Sequence, residues 1–496
     1  MNAQLLRFGR AAPAVAAALL CACTVGPNYR KPEIPTPATY QESGTTARTL
    51  VQPSDADLSQ WWTQFNDPVL TDLIGRALAA NLDLKSAASR VRQARLQEIV
   101  TGAAEYPSIS ATATALTLNS NRPTGGSSGS GASSGGGGGS SSSAGASPLP
   151  PYLNLYSAGF DATWEVDLFG GTRRAMQEAK ANTEASLWAR RDGEVSLTAE
   201  VASDYLALRM AQARIAVGEA ELQRQKDLFT LVKARRQTGF VTSLDVNQQD
   251  TQVLTAAAQI PQLTAQAKAQ IHALGVLLGE PPEALTTELA ASPPGALPSP
   301  PPTLPVGLPS ELLRRRPDVR EAERRLAASN AQIGVETANL YPKLDLIGLA
   351  SFAGPEVGNL FSSQNLTSAA FGMLTQPLFD AGKNRANVRI AREQAGQASL
   401  AYQNTVLGAL RDVEDALARY RAEDERRGSL ARSVETARSS LTIATDQYRV
   451  GLVTFINVLQ AQNAELSARD QLVQSDAQVA TDLVAVYKTV GGGWSR

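Results

Sequence analysis

Few residues in this chain have the types and spacing for bond chemistry. His272 is the sole histidine among 496 residues, and it lies in a helical stretch without clustered ligand partners, so it makes neither a metal site nor a catalytic dyad. Gly135–Gly139 lack the lysine and helix start of a phosphate loop, and no nucleophile elbow occurs. The remaining reactive groups are Cys21 and Cys23. Arg7 and Arg10 precede an apolar run, Ala11–Leu20, too short to span a bilayer. The following Leu20-Cys21-Ala22-Cys23 reads as a lipobox cleaved before Cys23, with residues 1–22 as signal peptide. Cys21 fits poorly, because Leu20 stands where a small side chain is required. Acyl chains on Cys23 would each add on the order of 0.8 kcal/mol of anchoring per buried methylene. One cysteine then remains, which excludes an intramolecular disulfide. The alternative is a plain secretory signal with an incidental cysteine.

The elements around these residues must suit a secreted chain. Lys and Arg total 46, Asp and Glu 47, a balance that gives no basic face for nucleic acid. Aromatics are 5%, and Ala, Gln and Leu dominate long stretches, favouring helices with small contact residues. No further segment reaches the length of a membrane helix, so a crossing of the membrane requires a closed β-barrel. Tyr156–Leu168 alternates: Tyr156, Ala158, Phe160, Ala162 and Trp164 on one face, Ser157, Asp161, Thr163 and Glu165 on the other. That period suits a strand between lipid and a watery lumen, or the edge of a soluble sandwich. Tyr106–Leu118, Tyr341–Phe352 and Ala369–Phe379 are weaker candidates. Gly125–Ser147 holds 20 Gly or Ser in 23 residues and reads as a flexible extracellular loop.

Helices fill the rest. Thr172 to about Gln237 has no proline, with Val201, Leu208, Ile215, Leu222 and Phe229 spaced by seven; Val406, Val413, Tyr420, then Val434, Leu441 and Tyr448 repeat the pattern. Such spacing predicts coiled-coil packing in a helix of about 100 Å. The chain also repeats itself. Tyr106-Pro107 matches Tyr341-Pro342, Leu168-Phe169-Gly170-Gly171 matches Leu378-Phe379-Asp380-Ala381-Gly382 with one residue inserted, and Gly239–Val246 matches Gly451–Val458. Phe169 to Gly239 is 70 residues and Phe379 to Gly451 is 72. Each half is therefore a β-hairpin followed by a long helix, a tight turn and a returning helix. The expected divisions are an N-terminal segment with its first periplasmic helices at 23–105, a hairpin at 106–169, and a helical arm pair at 170–280. A Pro-rich connector at 281–310, a helix at 311–340, a second hairpin at 341–379, a second arm pair at 380–490 and a tail at 491–496 complete them.

With these landmarks placed, the chain resembles the TolC-like outer membrane factors, in particular the lipoprotein branch serving resistance-nodulation-division pumps. Cys23-Thr24-Val25-Gly26-Pro27-Asn28-Tyr29, Trp61-Trp62 with Asp67-Pro68, Trp164–Gly170 and Leu308–Val319 carry the resemblance. It implies a mainly α fold with a membrane β-barrel: a homotrimer with a twelve-stranded β-barrel continuous with a twelve-helix α-barrel. It implies an outer-membrane, lipid-anchored location, a periplasmic adaptor (membrane fusion protein) and an inner-membrane proton-driven transporter as partners, and no cofactor. Adaptor docking falls on Gly239, Val241, Thr242, Gly451, Val453 and Thr454. The gate constriction falls on Asp245, Tyr448, Asn457 and Gln460. Asn457 and Gln460 are amides where the family has an acidic ring, which predicts a gate held by hydrogen bonds and weaker cation block. The competing readings are the outer duct of a type I protein secretion system and a structural coiled-coil lipoprotein without conductance.

Overall fold

The computed structural model describes residues 24–35, 37–42, 49–51, 58–119, 152–290, 298, 303–305 and 309–494. Cys23, the signal residues 1–22 and the Gly125–Ser147 tract lie outside these residues, as does most of 291–308. In chain order, a tight turn of helix at Trp61–Phe65 leads into α1 (Pro68–Ala80) and α2 (Leu82–Gly102). The strands β1 (Ser108–Asn119) and β2 (Tyr152–Val166) follow, then α3 (Gly171–Gln237) and α4 (Ser243–Leu277). The helix α5 (Pro317–Ala338) opens a second round: β3 (Lys343–Gly354), β4 (Leu366–Thr375), α6 (Lys383–Arg449) and α7 (Phe455–Thr489).

The repeat is closer than the motifs indicate. The helices α3 and α6 each have 67 residues, and α4 and α7 each have 35. Gly171 to Lys383 and Ser243 to Phe455 are both steps of 212 residues. The different spacings therefore arise at the strand-to-helix junction. The helix begins two residues after Phe169 but four after Phe379, so the second junction carries two extra residues where the motif match suggests one. The fourth strand also differs from its expected span. It ends at Thr375 rather than Phe379, because Pro377 has no N–H to donate to a ladder.

Two compact units divide the chain: Met1–Asn28 with Glu98–Gln177 and Ala331–Arg392, and Tyr29–Gln97 with Glu178–Asn330 and Glu393–Arg496. The first holds an open, wholly antiparallel sheet in the order β1-β2-β3-β4. Its faces follow the sequence alternation. Phe160 sits opposite Ala111 on one side and Ala350 on the other, and Trp164 sits opposite Leu346. On the reverse face Ser110 donates to Asp161 (2.6 Å), Ser108 lies 2.8 Å from the Thr163 hydroxyl, and Lys343 pairs with Glu165 (3.2 Å). Trp164 Nε1 donates to the Glu105 carbonyl (3.1 Å), tying strand to preceding turn. The chain just after Cys23 also belongs to this unit. Val25 N–H donates to the Phe169 carbonyl (3.0 Å), and Arg174 donates to the carbonyls of Val25 (3.0 Å) and Gly26 (3.1 Å) and to Asn28 (2.9 Å).

The second unit has a continuous apolar core. Asp67 caps α1, its Oδ1 accepting from Val69 N–H and Leu70 N–H, with Pro68 in the first helical position where no N–H is needed. Its other oxygen accepts from Tyr205 (2.7 Å) on α3. Trp61 stacks on Tyr487 of α7 at 5.0 Å, and both are fully buried with Leu70, Leu73, Leu206, Val406, Val413 and Leu483. Arg316, in the Leu308–Val319 motif, joins three helices. It donates to Asp318 (3.0 and 2.6 Å), to Asp412 of α6 (3.3 Å) and to the Thr489 carbonyl of α7 (3.3 Å). Among the described residues no helix is long and apolar enough to cross a membrane.

The heptad expectation holds for only part of α3. Val201 and Leu208 are buried, but towards the end of the arm Glu221, Gln225 and Val232 take the buried positions, with Leu222 and Phe229 half-buried. An unsupercoiled helix drifts about 20° per heptad, which moves the buried stripe off a strict sevenfold row. The row in α6 keeps Val406, Val413 and Tyr420 buried and ends on buried Tyr448.

Candidate functional site at the paired helical tips

Each arm reverses through a short turn whose backbone is nearly duplicated. At the first, Gly239 N–H donates to the Arg236 carbonyl (3.1 Å) and Phe240 N–H to the Arg235 carbonyl (3.0 Å). At the second, Gly451 N–H donates to Tyr448 (3.2 Å) and Leu452 N–H to Gln447 (2.9 Å). Both are Schellman closures, satisfying helix-end carbonyls through one left-handed residue. Gly239 and Gly451 both have φ +80°, with open space where a Cβ would stand. Glycine is required at both by backbone conformation alone.

The two turns differ in how the returning helix starts. Thr242 and Asp245 form a reciprocal capping box: Thr242 N–H donates to Asp245 Oδ2 (2.8 Å), and Asp245 N–H donates to Thr242 Oγ1 (3.3 Å). Thr454 occupies the matching cap position of α7 but its side chain makes no cap hydrogen bond, and Asn457 N–H donates instead to the Thr454 carbonyl (3.1 Å). There the start is fixed by packing. Phe455 and Tyr448 are buried with Val232, Val458 and Leu459, their two rings 5.4 Å apart, and Arg235 lies 5.0 Å over the Tyr448 ring. Val241, Val246 and Val453 line the same cluster, so the two turns form one tip.

The expected site residues thus separate into groups. Gly239, Thr242, Gly451 and Thr454 are exposed in the turns, with Val241 and Val453 half-buried beneath them. Of the four constriction candidates, Asn457 and Gln460 are exposed on one side of α7, Asp245 is engaged in its cap, and Tyr448 sits in the tip core. Two groups of residues escaped the sequence reading. Phe240 and Leu452, each one residue past a tip glycine, are 83% and 76% exposed; the repeat alignment pairs them and was the signal available. The other group is a buried polar layer farther from the turns. Glu221, Gln225, Gln249, Gln462 and Glu465 are all buried. Gln225 donates to Glu221 (2.5 Å), Gln249 to Gln225 (2.6 Å), and Arg224 bridges Glu221 and Glu465, the latter at 3.2 Å. Its signal was Glu and Gln at spacings of three and four on the inward faces of α3 and α7. Among the described residues no group of His, Cys, Asp and Glu could hold a metal ion.

Comparison with known proteins agrees with this geometry. The outer membrane efflux protein family profile matches residues 73–280 and 308–492. Nodulation protein T of Rhizobium leguminosarum bv. trifolii is 30% identical over 492 residues, covering 99% of this chain and 98% of that protein. The pyoverdine export outer membrane protein OpmQ of Pseudomonas aeruginosa is 32% identical over 442 residues, 89% of each chain. The solved outer-membrane channel OprN superposes with a TM-score of 0.84 at 34% identity, covering 95% of this chain and 100% of that one. The fold is that of the TolC-like outer membrane channels, and this chain belongs to the outer membrane efflux protein family.

Proposed function

We propose that this protein is the outer-membrane channel of a tripartite efflux pump, conducting small molecules passively from periplasm to exterior. The observation that carries this reading is the open four-stranded sheet, with β1 and β4 as free edges, in a chain with two equal helical arms. Open edges in lipid are prohibitive, because every unpaired backbone group there costs several kcal/mol. Closure needs further strands. Three copies give a twelve-stranded barrel and a twelve-helix α-barrel, which is the assembly the family resemblance implies. Cys23 carries the acyl chains; the segment after it is fastened beside the β2–α3 junction through Val25 and Arg174, which suits an anchor at one rim of the sheet.

A periplasmic adaptor docks on the tips, with Gly239, Val241, Thr242, Gly451, Val453 and Thr454 at the contact and Phe240 and Leu452 as its apolar points. An inner-membrane proton-driven transporter supplies substrate and energy. Asp245, Asn457 and Gln460 line the constriction and Tyr448 supports it from the tip core, so closure relies on amide hydrogen bonds more than on ion pairs. Solute export by relatives such as the pyoverdine exporter is consistent with a small-molecule cargo. The test is a deletion strain challenged with dyes, detergents and antibiotics. Increased sensitivity, reversed by the full gene but not by a copy with both tip turns replaced, is the expected result. Unchanged sensitivity to every compound together with loss of an exported protein would favour a secretion duct instead.

A further inference from the structure

The helices that return from the tip differ in chemistry from those that lead to it. On the way to the tip α6 carries runs such as Glu423-Asp424-Glu425-Arg426-Arg427, as solvated helix surface usually does. In α4, by contrast, Asp245, Asp250 and Lys268 are the only Asp, Glu, Lys or Arg among 35 residues. Most of its polar residues are amides, and they keep a row. Gln248, Gln252, Thr255, Gln259, Gln262 and Gln266 recur at alternating steps of four and three, the spacing that holds one side of a helix. Gln248 and Gln252 are half-buried, and the other four are exposed.

The step of 212 residues between the repeats carries this row onto α7. Gln460, Ser467, Gln471, Gln474 and Gln478 are its counterparts, broken only by Ala464 in place of Gln252. Asn457 and Gln460, the constriction residues proposed for α7, begin the second row. Gln474 is half-buried, and the rest of that row is exposed. The two rows border one groove of about 380 Å³, lined by Gln259, Gln262 and Gln266 of α4 and by Asn463 and Ser467 of α7. The charges at its edge cancel, since Arg214 pairs with Asp470 at 2.7 and 3.1 Å. Asp250 and Lys268 stand two residues past Gln248 and Gln266, about 200° round the helix and so on its other side.

We propose that these two rows line the helical part of the conduit and that they select against neither sign of charge. An amide both donates and accepts hydrogen bonds, so it exchanges contacts with a carboxylate, an ammonium or a neutral polar group in turn. A row of carboxylates, repeated around the assembly, would instead trap cations and repel anions. The cargo class this favours is small polar solutes irrespective of net charge, anionic and zwitterionic ones included. The uncharged pair Asn457 and Gln460 is then the first step of a neutral track that runs about 30 Å along α7 to Gln478.

This inference rests on the channel reading, and the test separates the two. Reversal potentials are measured in planar bilayers under a potassium chloride gradient at low ionic strength, where added charge is least screened. The unsubstituted channel should hold its cation-to-anion permeability ratio within about threefold of unity; a strongly selective one overturns the indifference to charge. Gln259→Glu and Gln471→Glu should each raise the ratio about threefold, and Gln259→Lys and Gln471→Lys should lower it about as much. Lys268→Glu, on the other side of α4, should leave it unchanged. A conducting channel in which none of the four row variants shifts the ratio overturns the lining, as does a shift with Lys268→Glu alone. A folded unsubstituted protein without conductance overturns the channel reading and the lining with it. Should the charged variants assemble poorly, Gln259→Cys and Gln471→Cys are recorded before and after cationic and anionic thiosulfonate reagents, with the unsubstituted chain as control for Cys23. Opposite shifts from the two reagents support the lining, and no shift from either contradicts it.

Discussion

The two turns at the tip share a backbone and differ in the forces that hold it. Both close through a left-handed glycine with matching hydrogen bonds. The first then starts its returning helix with the Thr242–Asp245 box, whereas the second has Phe455 where the first has Ser243 and relies on its packing against Tyr448. A capping box is local and persists if neighbouring helices shift, while a buried ring pair depends on Val232 of the other arm staying in place. The second turn is therefore the one whose order depends on the arms being together, which suits the mobile side of the gate proposed here.

The largest expected effect follows from that packing. Phe455→Ala should cost about 3–5 kcal/mol by opening a cavity in the tip core, whereas Ser243→Ala should cost a few tenths. Amide exchange in α7 near Phe455 should accelerate accordingly. Equal effects at the two positions would erase the proposed difference. Next in size, Gly239→Ala and Gly451→Ala should each cost roughly 1–2 kcal/mol, because a Cβ strains the left-handed conformation though it meets no neighbour. The two losses should agree closely, and a large disparity would show that the turns are not equivalent in backbone.

Smaller still, Thr242→Ala should cost about 1 kcal/mol through loss of the cap, with Thr454→Ala nearly neutral. Asn457→Asp should import the missing half of the box and slow exchange at the start of α7. The last comparison is between the arms. Asp204 of α3 stands where α6 has buried Ala416. Burial, with Glu200 nearby, pushes the Asp204 carboxyl up to about 6. Between the ordinary carboxylate range and 6 the folded state holds the extra proton, so stability falls as pH rises through that window and the full penalty is present above it. Asp204→Ala should raise thermal stability at pH 7 and lose that advantage below about pH 4. An advantage independent of pH would assign the effect to packing instead.

Much of this architecture was legible in the residues. Tyr106-Pro107 and Tyr341-Pro342 marked the strand starts within two positions, and the tip glycines marked both turns, because such punctuation is dictated by local backbone needs. The ends of β4 and the burial in α3 were not legible. The first depended on Pro377 losing its ladder partner, and the second on helix drift that carries Glu221 and Gln225 inward. At the site, the positions of Asn457 and Gln460 on one side of α7 follow from their three-residue spacing, but the burial of Tyr448 depends on Arg235 and Val232 from the other repeat, which no local pattern reveals.

The most direct test of the account is single-channel recording of the purified protein in planar bilayers across pH. The account predicts discrete conductance steps with little loss as the pH is lowered, since Asn457 and Gln460 are amides and the Asp245 carboxylate is taken up by its cap with Thr242. A folded trimer with no conductance would contradict the channel itself, and strong block on acidification would contradict an amide gate.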